Sequence, residues 1–400
     1  MKISILQENI KKGLSVVSHA TGKNPNLPIL SNVLFDIVGG EIKLITTNLE
    51  IGIVNKVRGG IDEEGSITVD AKLILDYISL LPNQKVKIRT TDNKLSIESE
   101  NYKTRIIGQG AEDFPIIPKV SRMIEYKANL GEFKKALSGV IFSTAISEIR
   151  FELTGVLFEF KDERLVLAAT DSFRLSEKKI KITKTVNKIK EKTESDENKN
   201  NESDKNNEVA DSDEIGKFIV PSKTLQELVR ILGIVIDVEP EEEAMIKFYV
   251  SDNQILFSFA NTELVSRLIE GQYPDYVQII PKINKTKIKV EKNDLVRAIK
   301  SSAIFSKAGV NDINLDFPKG KNKIIVSASS GAQGENIVEI DAKSEGEDNS
   351  VVVNYKYLLD GLGVLNGEKI TIEVVDNNTP CIIKCEENKE YLYLIMPIKQ

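Results

Sequence analysis

Asn129-Leu-Gly-Glu-Phe-Lys-Lys-Ala-Leu-Ser-Gly-Val-Ile-Phe142 reads as an amphipathic helix. Leu130, Phe133, Leu137, Val140 and Ile141 fall at i, i+3, i+7, i+10 and i+11, one stripe of an α-helix. Lys135 lies almost opposite that stripe and should point away from whatever the helix packs on. Alone, the segment is ordinary. It decides the fold because the chain writes it three times.

Ile10-Lys-Lys-Gly-Leu14 and Leu295-Val-Arg-Ala-Ile299 align with Phe133-Lys-Lys-Ala-Leu137 at offsets of 123 and 162 residues. A second pattern recurs as Asp70–Leu81, Pro221–Leu232 and Asn354–Leu365. Asp70, Ser222 and Asn354 mark plausible N-caps. From Ile10 to Lys72 is 62 residues, from Phe133 to Lys223 is 90 and from Leu295 to Lys356 is 61. Two units agree within one residue, and an insertion explains the third. Between Glu191 and Glu214 stand ten acids and three lysines in a tract almost without apolar residues. Such a tract cannot offset its ordering entropy by burial and is expected to be a disordered loop, about 184–214.

That tract also corrects the first impression of charge. The chain carries −6 overall, the tract −7, and the other 376 residues +1. A hydrophobic content of 41% over 400 residues supports several cores. No apolar run approaches the roughly 18 residues a membrane span needs. The amino terminus lacks signal-peptide anatomy, and Cys381 and Cys385 cannot make a disulfide framework, so a cytoplasmic setting is expected.

Short β-rich runs fill the spaces between helices: Val33–Val38, Ile42–Thr46, Gly155–Phe160, Leu165–Ala169, Ile324–Ser327 and Ile337–Ile340. More follow each second helix: Lys85–Ile88, Lys94–Ile97, Ile246–Val250 and Ile370–Val374. Each unit is therefore helix, strands, helix, strands. The fold class is α+β, three repeated domains each with two helices packed on antiparallel sheets. The domains are expected at 1–121, 122–283 and 284–400.

Cations align in both helix columns: Lys12, Lys135 and Arg297 in the first, Lys72, Lys223 and Lys356 in the second. For any one of them solubility is explanation enough; six at equivalent positions point to a shared electrostatic task. Side by side in an arc, they would form one positive wall suited to a phosphate backbone. Such contacts are weak, with dissociation constants of about 10⁻⁴ to 10⁻⁶ M, which permits sliding.

Catalytic constellations are absent from the sequence. Its one histidine, His19, has no nucleophile elbow or paired base nearby. No phosphate loop occurs, and Gly331-Ala-Gln-Gly334 reads as a hairpin turn. Cys381 and Cys385 lack a second ligand pair at zinc spacing. No cofactor and no metal are expected.

Several phrases, in order and on three repeats, carry a resemblance. They are Leu27-Pro-Ile-Leu30, Glu148-Ile-Arg-Phe-Glu-Leu-Thr-Gly155, Ala169-Thr-Asp-Ser-Phe-Arg-Leu175, Tyr273-Pro-Asp-Tyr276 and Tyr393-Leu-Ile-Met-Pro-Ile398. With them the chain resembles the bacterial sliding clamp, the beta subunit of DNA polymerase III, from end to end apart from the acidic tract. The resemblance implies a DNA clamp fold, half of a closed homodimeric ring around duplex DNA, without catalysis. It implies as partners the polymerase catalytic subunit, the clamp loader and other proteins with clamp-binding motifs. Their peptides would dock between the second and third domains. The implied pocket comprises Arg150, Leu153, Thr170, Ser172, Arg174, Leu175, Pro274, Gln278 and Ile279. From the last unit come Asn354, Tyr357, Pro380, Leu394, Met396, Pro397 and Ile398. Lys23 and Arg230 join the six aligned cations as DNA-facing residues. Phe114 on one protomer and Ile304 with Phe305 on the other would pack the ring interface.

The chain departs from the family pattern in places. Ser172-Phe173 stands where many members have Gly-His, Gln278 where some have arginine, and Lys399-Gln400 where Arg-Leu is common. Asn24 occupies a position basic in some members, and Glu148 puts an acid near the expected DNA side. Two other readings compete: a three-repeat scaffold that does not encircle DNA, and a metal-dependent hydrolase built on acids such as Asp171.

Overall fold

The computed structural model describes residues 1–22, 24–161, 163–186, 216–236, 244–331 and 333–399. Among them run six α-helices: α1 (Gln7–Val17), α2 (Ala71–Leu80), α3 (Leu130–Val140), α4 (Ser222–Ile236), α5 (Lys292–Ala303) and α6 (Tyr355–Val364). They are the six repeated patterns. Asp70 caps α2 by accepting from the Leu73 amide at 2.7 Å, and Asn129 caps α3 through the Glu132 amide at 2.9 Å. Asn354 caps α6 through the Lys356 amide. Each such cap is worth about 1 kcal/mol. Ser222 is the first residue of α4. The α3 stripe is buried as its spacing requires, with Leu130, Phe133, Leu137 and Val140 at most 1% exposed. Each contributes roughly 1.5–3 kcal/mol of burial.

Every strand pairing is antiparallel among the described residues. Five strands of the first repeat make one sheet, ordered Gly60–Glu63, Lys2–Leu6, Lys85–Thr91, Lys94–Ser99, Tyr102–Ile107. Its other four join five of the second repeat in a nine-stranded sheet, where Ile51–Val57 pairs with Thr262–Arg267. The remaining four strands of the second repeat join the third repeat in a twelve-stranded sheet, where Arg174–Lys181 pairs with Tyr391–Ile395. The repeats are thus continuous in backbone hydrogen bonding across both junctions.

Two details escape the sequence. Lys184, Thr185 and Val186 are not loop: Thr183–Val186 is a strand paired with Ile124–Lys127. Its β-branched residues are masked by the polar tract that follows; the rest of the expected loop lies outside the described residues. In the third repeat, one strand, Gly334–Gly346, does what two do elsewhere. It pairs with Lys323–Ser330 and then with Thr286–Val290, linking the two parts of the twelve-stranded sheet.

Residues 108–123 and 268–285 connect the repeats, and the boundaries expected at 121 and 283 fall inside them. Side chains alternate along the sheets. Phe35, Leu44 and Ile53 face the helices in the main core, whereas Leu34, Ile45 and Val54 face the first connector. Helices therefore lie on one face and the connector crosses the other, over a cleft of about 980 Å³. Gly52 makes room there, because a Cβ would come within 2.9 Å of the Ile117 side chain and force it to shift.

Candidate DNA face, docking pocket and open edges

The pocket begins with a turn. Thr170 Oγ1 donates to the Arg174 carbonyl at 2.6 Å and accepts from the Ser172 amide at 3.1 Å. Asp171 Oδ1 accepts from the amides of Phe173 and Arg174. Ser172 sits at φ +77°, where a side chain is uncommon. The first repeat builds the same turn from Thr47, Asn48 and Leu49, also at φ +77°. The turn belongs to the repeat. What distinguishes the second copy is that Arg174 and Leu175 replace Ile51 and Gly52.

Leu153, Leu175 and Leu394 are at most 1% exposed and join Tyr273, Tyr276 and Ile382 in one apolar cluster beneath the turn. Tyr273 accepts at its hydroxyl from the Thr170 amide at 3.1 Å. Arg174 is the hub. Its guanidinium donates to Asp171, to Asp360 of α6 at 2.6 Å and to the Phe142 carbonyl at 2.6 Å. It also lies 4.4 Å over the Tyr357 ring and 5.3 Å over the Phe142 ring. Burial works against its charge, but Asp360, Tyr393 and Asp171 outweigh burial and raise its pKa. Burial pushes the Tyr357 hydroxyl up.

The carboxyl-terminal segment closes the site: the Met396 amide donates to the Phe173 carbonyl, and Ile398 to the Val352 carbonyl. Pro397 is half-buried between them, and Pro380 is buried next to Cys381, which pairs with Ile395. Asn354 is spent on its cap. Arg150 donates to Ser172 Oγ at 3.3 Å and pairs with Glu152. On the second connector Pro274 is half-buried, Gln278 is exposed and donates to Asp275, and Ile279 is 44% exposed. Leu153, Thr170, Arg174, Leu175, Tyr357, Leu394 and Met396 are thus brought together, most of them as floor and brace. Exposed apolar side chains on the same turn, 3₁₀ segment and connector include Phe173, 60% exposed, Val277, Phe151 and Ile279. Sequence reasoning missed Asp360 and Phe142, which no local pattern marks as partners of Arg174. Asp171 is occupied by its own turn and by Arg174.

Of the expected DNA-facing residues, Lys72, Lys135, Lys223 and Lys356 are exposed and make no ion pair among the described residues. Arg297 is exposed and pairs with Asp294. Lys12 is half-buried, in a cleft with Val57 and Val235. Lys23 lies outside the described residues. Arg230 needs correction: its guanidinium donates to the carbonyls of Ser15 and Val16 at the end of α1, both at 2.8 Å, and to Glu227. Those donors are used inside the chain, because the side chain reaches across to α1. Glu148 is exposed at the start of a 3₁₀ segment, Glu148–Thr154.

Gly60–Glu63, Thr183–Val186 and Asn349–Asn354 each end a sheet with one ladder partner, and two further edges are open among the described residues. Tyr102–Ile107 pairs on one side only, with Ser99–Lys94, and Gly334–Asp341 pairs on one side only, with Ser330–Lys323. Ile107 is 82% exposed and Ile337 63%. Ile304 is exposed and Phe305 half-buried at the end of α5. Phe114 needs correction as an interface residue. It is 7% exposed, turned from the first connector into its own chain, so it offers a partner no face.

Comparison with known proteins covers the whole chain. Models of the DNA polymerase III beta subunit match residues 1–118 (N-terminal domain), 128–194 and 203–275 (central domain) and 277–399 (C-terminal domain). The beta sliding clamp of Synechococcus elongatus is 29% identical, with 100% of this chain and 99% of that protein covered. A beta sliding clamp of Staphylococcus aureus is 26% identical at the same coverage. Among solved structures, a putative DNA polymerase III beta subunit from Eubacterium rectale has a TM-score of 0.83 and 30% identity, covering 100% of this chain and 99% of that one. The sliding clamp of Bacillus subtilis, at 24% identity, 100% and 99% coverage and a TM-score of 0.86, shares the fold.

Proposed function

Because the chain belongs to the DNA polymerase III beta-subunit family of sliding clamps, a non-catalytic processivity factor of DNA replication, we propose that two copies close head to tail into a ring around duplex DNA. The observation that carries this reading is that two of the open edges match the strands paired at the internal junctions. Both internal junctions join a late strand of one repeat to an early strand of its neighbour. The third such pair is Gly334–Asp341 of one copy and Tyr102–Ile107 of another. The edges complement each other: Lys103 and Arg105 on one, Glu335, Glu339 and Asp341 on the other, with exposed Ile107 and Ile337 between. Opposite charges across strands favour such pairing.

Lys72, Lys135, Lys223, Arg297 and Lys356, with Lys12 at the margin, then face the DNA and contact phosphates without reading sequence. The site around Arg174, with Phe173 and Ile279 at its mouth, takes apolar peptide side chains from the polymerase, the clamp loader and other partners. The remaining residues expected there, Arg150, Ser172, Pro274, Gln278, Asn354, Pro380, Pro397 and Ile398, form its rim and support. The protein works beside the chromosome, in the cytoplasm. Family membership leaves the hydrolase and the DNA-free scaffold without support.

The test is a size measurement in solution followed by retention on nicked circular and linear DNA. A dimer held on circles and lost from linear DNA is expected, and Ile107→Asp should give folded monomers that circles do not retain. A wild-type monomer at micromolar concentration would refute the ring. In the same preparation Phe173→Asp should weaken binding of a fluorescent polymerase-tail peptide by about tenfold, the scale of losing one buried apolar contact. Unchanged peptide binding would remove the pocket assignment while leaving the ring.

A further inference from the structure

Both internal junctions are latched at the same place, the carboxyl-terminal end of the first helix of the preceding repeat. At the first junction Arg230 of the second repeat donates to the Val16 carbonyl at 2.8 Å. At the second, the Tyr391 hydroxyl of the third repeat donates to the Gly139 carbonyl at 2.8 Å, in a buried contact. Val16 and Gly139 are equivalent positions, 123 residues apart like the helices that carry them. The reason for a latch is general: the last carbonyls of a helix lack intrahelical donors, and at a buried junction the next repeat must supply one. The two latches alternate. The position equivalent to Arg230 in the third repeat is Gly363, which has nothing to reach with, and the position equivalent to Tyr391 in the second is Thr262, which is too short.

Strand pairing fixes which residue of the first repeat corresponds to Tyr391. Arg174 pairs with Ile395 and Lys178 with Tyr391, while Ile51 pairs with Ser266 and Asn55 with Thr262. The shared turn makes Arg174 equivalent to Ile51, so Tyr391 is equivalent to Thr262. Thr262 follows the two-residue turn Ala260-Asn261, with Ala260 at φ +44°. Tyr102 follows the matching turn Glu100-Asn101, with Glu100 at φ +40°. Tyr102 is therefore the Tyr391 of the first repeat, and it is 46% exposed on the open edge, where Tyr391 is 5% exposed. The equivalent of Gly139 in the third repeat is Ser301, near the end of α5. The Tyr391 ring lies 3.4 Å from where a Cβ on Gly139 would stand, an ordinary contact that leaves room for the serine.

We propose that Tyr102 is the latch of the closing seam, its hydroxyl donating to the Ser301 carbonyl of a second copy of this chain. Ser79, the first-repeat equivalent of Arg230, is too short for that task. The proposal rests on the ring reading and adds to it a named polar contact that strand pairing alone does not require.

Tyr102→Phe removes only the hydroxyl. It should raise the monomer–dimer dissociation constant about fivefold, the scale of one neutral hydrogen bond, and shorten retention on nicked circles in proportion. In a second measurement, p-benzoylphenylalanine at position 102 should photo-crosslink to residues 298–306 of the other copy. A dissociation constant within twofold of wild type, or crosslinks that map elsewhere, overturns the latch if Ile107→Asp still yields monomers. If Ile107→Asp stays dimeric, the edge pairing itself fails and the latch falls with it.

Discussion

Arg174 and Arg230 show that a cation's task depends on where its chain can reach. Both bond to carbonyls near the end of a first helix, Arg174 to Phe142 and Arg230 to Ser15 and Val16. Neither partner is near in sequence, so periodicity could place the arginines on helices and strands without revealing their use. The aligned lysines were legible because exposure follows from facing away from an apolar stripe. Phe114 was not, because a phenylalanine in a connector reads equally well as buried anchor or exposed contact. Glu125 is a further buried acid without a sequence signal. It accepts from Tyr249 and pairs with Lys127 at 2.8 Å and Lys247 at 3.2 Å. Burial pushes its carboxyl up, but Lys127, Tyr249 and Lys247 outweigh burial and hold it at about 2, against an ordinary 4.5. A carboxyl depressed in this way adds stability above its unfolded value, and that stability is lost as pH falls through the folded value. Glu125→Gln should therefore cost about 1.5–3 kcal/mol at neutral pH, the scale of a hydrogen bond to a charged group, with the gap to wild type closing between pH 4.5 and 2. Thermal unfolding of both proteins across that range checks it; a gap that persists in acid contradicts the assignment.

At the scale of elements, the six helices and ten of the 26 strands among the described residues are read from spacing and composition, since a buried stripe needs period 3.6 and a half-buried strand period 2. Apart from Gly334–Gly346, these strands extend by one to three residues at one or both ends, because ladder bonds continue into polar flanks that composition assigns to turns. The fused strand Gly334–Gly346 could not be foreseen: Gly346 at φ +107° marks where it ends, yet a glycine there reads as an ordinary turn. Helix contacts were also hidden. Gly361 lies in α6 directly against Tyr393, and any side chain there would collide with that ring, which is fully buried and held by its bond to the Tyr357 carbonyl. Gly361→Val should destabilise the protein by about 1–3 kcal/mol through overpacking. Urea unfolding measures it, and a neutral result would mean that α6 can lift without loss.

For the whole molecule the electrostatic prediction is collective. Reversing Lys72, Lys223 and Lys356 together should abolish retention on DNA while leaving dimer size and unfolding temperature unchanged. Each phosphate contact contributes about 0.9 to the slope of log affinity against log salt, so the slope should fall by roughly 2–3. An unchanged slope would move the DNA to another face.

Complementary open edges at the two ends of one chain also pose a problem of angle. A unit with complementary ends adds copies indefinitely unless the rotation from one to the next divides a full turn; otherwise it grows as a helical filament. Closure at two copies demands that each subtend half a circle, and that angle is set where the repeats meet. In the proposed ring Arg230, Arg174 and Tyr391 would act as goniometer stops, setting that angle from within the protomer, far from the seam itself. Arg230→Met, which keeps the bulk and removes the latch, should shift sedimentation from a single dimer toward a mixture of dimers and open chains. A dimer as uniform as wild type would show that sheet continuity alone holds the angle.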